Sequence, residues 1–493
     1  MATVSELMAS RITNAQINEQ TWGGVIFNVK AFGAKGDYNT STGLGTDDST
    51  AIINAYQAAA KVNGTVEFPP GNYLINSTIT LSDAVRIKGD RVNMGGSRIF
   101  TKANAPIFRV KAAAHIEGLS FMGSKEVSKT SQVAIYIDNI SNVTIFDCYF
   151  QDFYDCIYIY NVVFYSTIER CRFYSAVRSM IRGAGVTASG YQVTINHCVV
   201  TPGSNGGESG FYFENAGTVT INDLEMSPTN LSDASIVFAS IAANGGIQQI
   251  THSRLEGSSN VGLKLIGTSG NPIKFVFVSN TYIAGNPAVR MDYATNCYFD
   301  NCYFTGSSDG LSGRHALLVN HVGDNIKMNN CEYQVTNVPI TADIGCSSIS
   351  LDIVNPNYTS AHQFIYLPFL TSSEVDRISV FGGLIGIHTT PVDIPAGTKS
   401  IVQVEGVSER IESGSAIVTI PTGNAGALAS ITFSKPFKSP PKLKVWIESF
   451  SGSAAGYTTI YSRQSAVTTT GAAPGVTSFT AQDVTIGWEA RGV

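Results

Sequence analysis

Charge is scarce in this chain: Asp, Glu, Lys and Arg together make 14% of its residues, against about 25% in an average globular protein. No long run of either sign stands behind the net charge of −5. A phosphate backbone would meet repulsion, so nucleic acid is not an expected partner. Long apolar runs are missing too; each is broken by polar residues within a few positions, leaving no candidate membrane span. The N-terminal MATVSELMASRITNAQ has no basic segment followed by an apolar one, so no secretory signal is expected. In a long chain without such a signal the eight cysteines read as reduced thiols rather than a disulfide framework; no CxxC pair marks a closed metal site, and no cofactor is expected. The expectation is a chain folded in a reducing cytoplasm, which acts outside it only after lysis.

What is present points to repetition. A length of 493 residues exceeds the usual ceiling of one ordinary domain, so several domains or a repeat must absorb it. Plentiful Gly, Tyr and Phe favour β-structure with many turns. Residues 1–26 are polar with scattered Val4, Leu7 and Ile12, and read as an attachment leader. VKAFGAKGD (29–37) then leads to TDDSTAIINAYQAAAKVNG. There Asp47 or Asp48 can cap a helix whose apolar side runs through Ile52, Tyr56, Ala59 and Ala60, with Gly64 as its stop. TVEFPPGNYLI follows as strand, Pro-Gly turn and strand.

From about residue 110 one phrase recurs: a β-branched or aromatic residue, a polar one, then Asn, Asp or His, then Cys, a polar residue and an apolar one. NVTIFDCYF, STIERCRF, VTINHCVV, VTINDLEM and YFDNCYF are instances. Alignment on the Cys position gives Cys148, Cys171, Cys198, Leu224, Ser253, Thr281, Cys302 and Cys331, at intervals of 21 to 29 residues. Such a period, with strands and turns but no helical pattern, marks a parallel β-solenoid. A second phased set (CIYI, SMIR, GFYF, SIVF, GLKL, AVRM, ALLV) follows the phrases, so each coil is expected to hold two strands.

The prediction is an all-β, right-handed parallel β-helix of about ten coils with a short N-terminal cap helix. Its Cys column lies in the core, and Asp147, Asn280, Asn301 and Asn330 form a side-chain ladder at a turn. Residues 27–110 form the cap and first coils, and 111–411 the body. At ESGS, near residue 412, a linker leads to short alternating strands with Pro/Gly-rich turns. These read as a separate antiparallel β-sandwich over 412–493, with Trp446 and Trp488 in its core.

VKAFGAKGD, TDDSTAI and GTVEFPPGNYLI, within about residues 27–90, closely resemble the N-terminal cap of the pectate-lyase-like superfamily, in particular phage tailspikes and related glycosidases. The solenoid phrases carry the resemblance to about residue 400. FSKPFKSPPKLKVWI, VTTTG and IGWEARGV look like the H-type lectin family and similar phage fibre tips. The resemblance implies a homotrimer in the virion tail, docked through its N-terminus on a phage tail or baseplate protein. It also implies adsorption to a bacterial surface polysaccharide (capsule, O-antigen or wall polymer) and endo-glycosidic cleavage of it, without membrane insertion. Plant pectin is not implied: the NTD, DD, GHG and RIK set of polygalacturonases and the WIDH element of calcium-dependent pectate lyases are missing from the solenoid body. A non-catalytic receptor-binding spike and a lyase acting by β-elimination are the alternatives.

Glycoside hydrolysis needs two carboxyls across the scissile bond, about 5 Å apart for retention and about 6.5–9.5 Å for inversion. Equivalent outward positions on neighbouring coils lie about 4.8 Å apart. Two residues ahead of the second register the column reads Tyr154, Val177, Glu208, Asp233, Asn260, Asn286, Arg314 and Asn337; within it, Tyr158, Ile181, Tyr212, Val237, Lys264 and Arg290. Glu208 and Asp233 are the expected acid–base pair, mutual repulsion raising one of them. Tyr154, Tyr158 and Tyr212 would bind pyranose rings, and Arg178, Lys264 and Arg290 acidic sugar groups. Other catalytic candidates are Glu225, with Arg254, Asp223 and His252 on the adjoining face, and Asp155, with Asp152 in a turn. Lone His115, His315 and His388 read as surface or turn residues, and Asp47 and Asp48 as helix caps.

Overall fold

In the computed structural model the described residues wind into a parallel β-solenoid, with one α-helix near their start and small antiparallel sheets at their end. The residues described are 24–381, apart from stretches of up to eight residues, and beyond 381 chiefly strands. The expected leader lies almost wholly outside them, as do Arg314, Asn337 and His388.

Each coil carries three strands rather than two. The first ladder has 15 parallel strands, from Ile26–Asn28 to Gln403–Glu405. The second starts at Gly71–Leu74 and ends at Leu384–Ile385; the third starts at Ile79–Leu81 and ends at Val392–Asp393. The long strands Tyr149–Tyr160 and Arg172–Ala184 belong to the second and third ladders together. The recurring phrase is two strands joined by a bend, which is why its single register concealed one of them.

The bend has a backbone cause. Gly118, Asp147, Arg170, His197, Asp223, His252, Asn280, Asn301, Asn330 and Asn355 all have φ between 48° and 67°. This left-handed conformation costs an ordinary residue roughly 1–2 kcal/mol and is easiest for Gly, Asn and Asp. Side-chain ladders form beside it, from Asn301 Nδ2 to Asn280 Oδ1 (2.6 Å) and from Asn355 Nδ2 to Asn330 Oδ1 (3.1 Å). A parallel rung joins Asn222 to Asn196 at 3.0 Å.

Inward positions repeat apolar residues coil after coil. Ile116, Ile145, Ile168, Ile195, Ile221 and Ile250 stack in register, and the rings of Phe121, Phe150 and Phe173 stack 5.2 and 5.1 Å apart, nearly parallel. Burying each such side chain contributes roughly 1.5–3 kcal/mol. All eight cysteines are free and buried; the thiol of Cys171 donates to the Ile145 carbonyl of the preceding coil at 3.7 Å.

The helix, Ser49–Ala60, packs Ile52, Ala55, Tyr56 and Ala59 onto the first coils and covers their end. Asp48 stands at its start, yet its buried carboxylate caps nothing; it accepts from Lys35 N (2.6 Å) and Gly36 N (3.1 Å), clamping the turn before. Asp47 accepts from Ser49 N at 3.0 Å. Asn63, not Gly64, takes the left-handed conformation after the helix. Gly64 is needed because a Cβ there would come within 2.6 Å of the Val25 carbonyl oxygen.

At the far end, Arg410–Ile420 pairs antiparallel with Gln482–Gly492, which also pairs with Lys442–Phe450. Residues 412–415 are therefore paired strand, not linker. Trp488 packs with Ile431, Phe433, Val467 and Ala490 in a small core of its own. The side chain of Trp446 lies outside the described residues.

Candidate functional site

Strand side chains alternate, so the outward positions of the third ladder align from coil to coil. One row runs Arg109, Tyr136, Tyr158, Arg182, Tyr212, Val237, Lys264, Arg290. Arg182 takes the place expected for Ile181, which is fully buried. Register shifts between the long strands Tyr149–Tyr160 and Arg172–Ala184 displace the count by one. The same shift puts Arg178 where Val177 was expected, in a second row at the entrance to these strands. There Tyr154 N donates to Gln132 O (3.0 Å), Glu208 N to Arg178 O (2.9 Å) and Asp233 N to Glu208 O (2.8 Å). Glu208 and Asp233 are thus direct neighbours on adjacent coils.

The two rows meet around Tyr212. The Arg182 guanidinium lies 4.1 Å from the centre of its ring. Burial pushes the Tyr212 phenol up; the Glu214, Asp233 and Glu208 carboxylates push the same way, and Arg182 opposes them. Glu208 is exposed, whereas Asp233 is half-buried and accepts from Lys264 Nζ at 2.6 Å. Glu214, absent from the expected set, lies two residues beyond Tyr212 on the same face; the alternation Tyr-Phe-Glu was its signal.

Upstream lies a cleft of about 300 Å³ lined by Pro106, Thr130, Tyr136, Tyr154, Tyr158 and Arg178 among others. Arg178 stands over Tyr154 at 4.5 Å and Tyr158 at 5.6 Å. Its Nε and Nη2 both donate to the Asp155 carboxylate, the former at 3.0 Å. Burial pushes the Asp155 carboxyl up, with the bonds and charge of Arg178 opposing. Asp152 and Asp155 are not in a turn: both belong to Tyr149–Tyr160 and are buried, and Asp152 accepts from Ser175 Oγ at 2.5 Å.

Glu225 sits on the second ladder, away from these rows. Its neighbour Arg254 turns to Glu256 (Nε–Oε1 2.8 Å) and lies over Tyr282. Asp223 and His252 occupy left-handed bends, and Asp223 faces His197 at 3.5 Å. This cluster does not converge on one point. His115 pairs with Glu117, and His315 contacts the Val338 carbonyl at 2.6 Å, its pKa lowered by burial. Among the described residues no group of three or more side chains could hold a metal ion, and no helix is long and apolar enough to cross a membrane.

Residues 26–256 match the family model described as rhamnogalacturonase A/epimerase, pectate lyase-like. Among solved structures, a mutant tailspike protein of E. coli bacteriophage HK620 in complex with a hexasaccharide matches over 94% of this chain and 93% of its own. Its identity is 10% and its TM-score 0.57. A second mutant of that protein, with a pentasaccharide, matches over the same shares at 10% identity and a TM-score of 0.54. The tailspike of Pseudomonas phage phi297 matches over 95% of this chain and 99% of its own, at 12% identity and a TM-score of 0.44. No curated protein sequence matches. At these identities the likeness is one of fold: the chain shares the parallel β-helix architecture of these tailspike proteins.

Proposed function

We propose that this protein is a virion-tail spike that lays a bacterial surface polysaccharide along its third ladder and cleaves it by endo-glycosidic hydrolysis. The observation that carries the reading is the junction of two rows. Glu208 and Asp233 adjoin on neighbouring coils, beside a line of tyrosines formed by Tyr136, Tyr158 and Tyr212. One carboxyl can protonate the leaving oxygen while the other serves the anomeric carbon. Tyrosines offer apolar surface to pyranose rings and a hydroxyl to their edges. Asp155, buried and bonded to Arg178, is a positioning residue that braces the guanidinium against Tyr154 and Tyr158. The HK620 tailspike proteins solved with oligosaccharides support a glycan ligand.

The same reading makes residues 27–411 the solenoid and 412–493 a lectin-like tip, with three copies about one axis attached to the phage tail through residues 1–26. Sedimentation should return three times the mass of one chain; a clean monomer at micromolar concentration would remove the trimer.

A second reading is a spike that only adsorbs. The ion pair of Asp233 with Lys264 favours it, because a paired carboxylate is a poorer proton acceptor. Incubation with purified host polysaccharide separates the two. New reducing ends are expected; their absence, from a polymer that the protein demonstrably binds, establishes the adsorbing spike.

A further inference from the structure

We infer that the polysaccharide held by the third ladder is uncharged, which makes its cleavage a hydrolysis and not an elimination. This rests on the glycan-cleaving reading above and adds its substrate class. The sequence places cations along the groove and so invites an acidic sugar. The structure commits those cations elsewhere. Arg109 and Lys111 both reach Asp138, at 2.6 and 3.6 Å. Asp155 holds Arg178, Asp233 holds Lys264 at 2.6 Å, and Asp292 lies 3.5 Å from Arg290. Asp138, Asp155 and Asp292 lie in third-ladder strands and Asp233 directly before one, so the pairing is a property of the face.

Arg182 is left without a carboxylate partner among the described residues. It lies flat on Tyr212, and the adjacent coil carries Glu208 and Glu214, neither of them paired among the described residues. Uncommitted carboxylates thus equal or exceed uncommitted cations around the central ring. A chain with a uronate in each repeat would have to break ion pairs or lie beside like charge. An uncharged chain avoids both, and the free carboxylate oxygens become acceptors for sugar hydroxyls.

The reaction follows from the ligand. Elimination removes the proton α to a uronate carboxyl, and a free cation must take up the charge that develops there. An uncharged sugar has no such proton. The phenols of Tyr158 and Tyr212, pushed up by burial, also hold their protons more firmly than a free tyrosine. In hydrolysis the bond from the anomeric carbon to the bridging oxygen breaks. That oxygen takes the proton of one carboxylic acid, a water oxygen bonds to the anomeric carbon, and the other carboxylate takes the water's proton.

The test uses the full chain and a panel of purified polymers: neutral bacterial O-polysaccharides, uronate-bearing capsular polysaccharides, and the latter with their carboxyls reduced to alcohols. Binding is measured at about 50 and about 300 mM NaCl, where screening differs severalfold. The expected result is a neutral polymer bound with less than about twofold change in Kd between the two salts. It should be cut to new reducing ends without the ultraviolet absorbance of an unsaturated uronate. An acidic polymer cut to new reducing ends only while its carboxyls are intact overturns the inference and leaves the hydrolysis standing; an absorbing product overturns both the uncharged substrate and the hydrolysis. Binding to none of the polymers overturns the inference and the cleavage reading together.

Discussion

The first and third ladders are turns of one backbone around one core, yet over the middle coils their outward rows differ in kind. From Val143–Phe146 to Thr218–Asn222 the first ladder presents Thr144, Thr167, Thr194 and Thr220 in register. Alongside them the third presents Tyr136, Tyr158, Arg182 and Tyr212. A branched Cβ suits the pleated surface, and a threonine row asks for no further partner. Rings and ions do ask: Arg109 needs Asp138, Arg178 needs Asp155, and Lys264 needs Asp233. Over these coils the first face repeats one residue type while the third varies; further along, the first row also changes, to Gln249, Phe277, Tyr298 and Lys327.

The contrast breaks most completely at the acids. Glu208→Gln and Asp233→Asn should each lower turnover by roughly 10²–10⁴-fold while affinity for the polymer is nearly kept, because acid–base roles are expressed in the transition state. Thr194→Val, on the opposite ladder, should change neither. Steady-state kinetics on the host polymer decides it; full turnover in both carboxamide variants sends the chemistry elsewhere. Phe150→Ala cuts the ring stack beneath both faces and should cost about 3–5 kcal/mol in denaturant unfolding. A loss confined to one ladder in amide exchange would show that the faces do not share a core.

Tyr212→Ala should weaken polymer binding by roughly 1–3 kcal/mol in calorimetry, with unfolding almost unchanged. The smallest effect is a slope. Burial holds the folded-state pKa of Asp155 above its unfolded value. Between those two values the folded chain binds more protons, so stability falls as pH rises through that window. Urea midpoints across the acid range should lose this slope in Asp155→Asn combined with Arg178→Gln. The same slope in that variant would assign it to another carboxyl.

The coil pattern was legible because its period survives variable loops and the buried Cys column anchors it. The third strand was not, since a left-handed residue inside a phrase reads as one more polar position until its φ is known. Glu208 and Asp233 could be placed side by side by counting back from strands of regular length. Ile181 was misassigned where that regularity fails, at the register shifts between Phe150 and Asp155. The pairing of Arg178 with Asp155, 23 residues earlier, depends on coil length and rotamer together, which a linear pattern does not encode. Hence residues expected to greet an acidic sugar turned out to be occupied, and Glu214 went unnoticed beside Tyr212.

The left-handed bends have a consequence for how such a molecule changes size. Each marks the same point on successive coils, so the interval between two of them is a complete module with both its ends in matching backbone geometry. Excising residues 280–300 would set Asn301 where Asn280 stood and shorten the rod by one rung, about 4.8 Å, with every ladder still in register. The bends act as graduations on a ruler, and the rod's length becomes an inheritable variable, adjustable in whole units without redesign of what lies on either side.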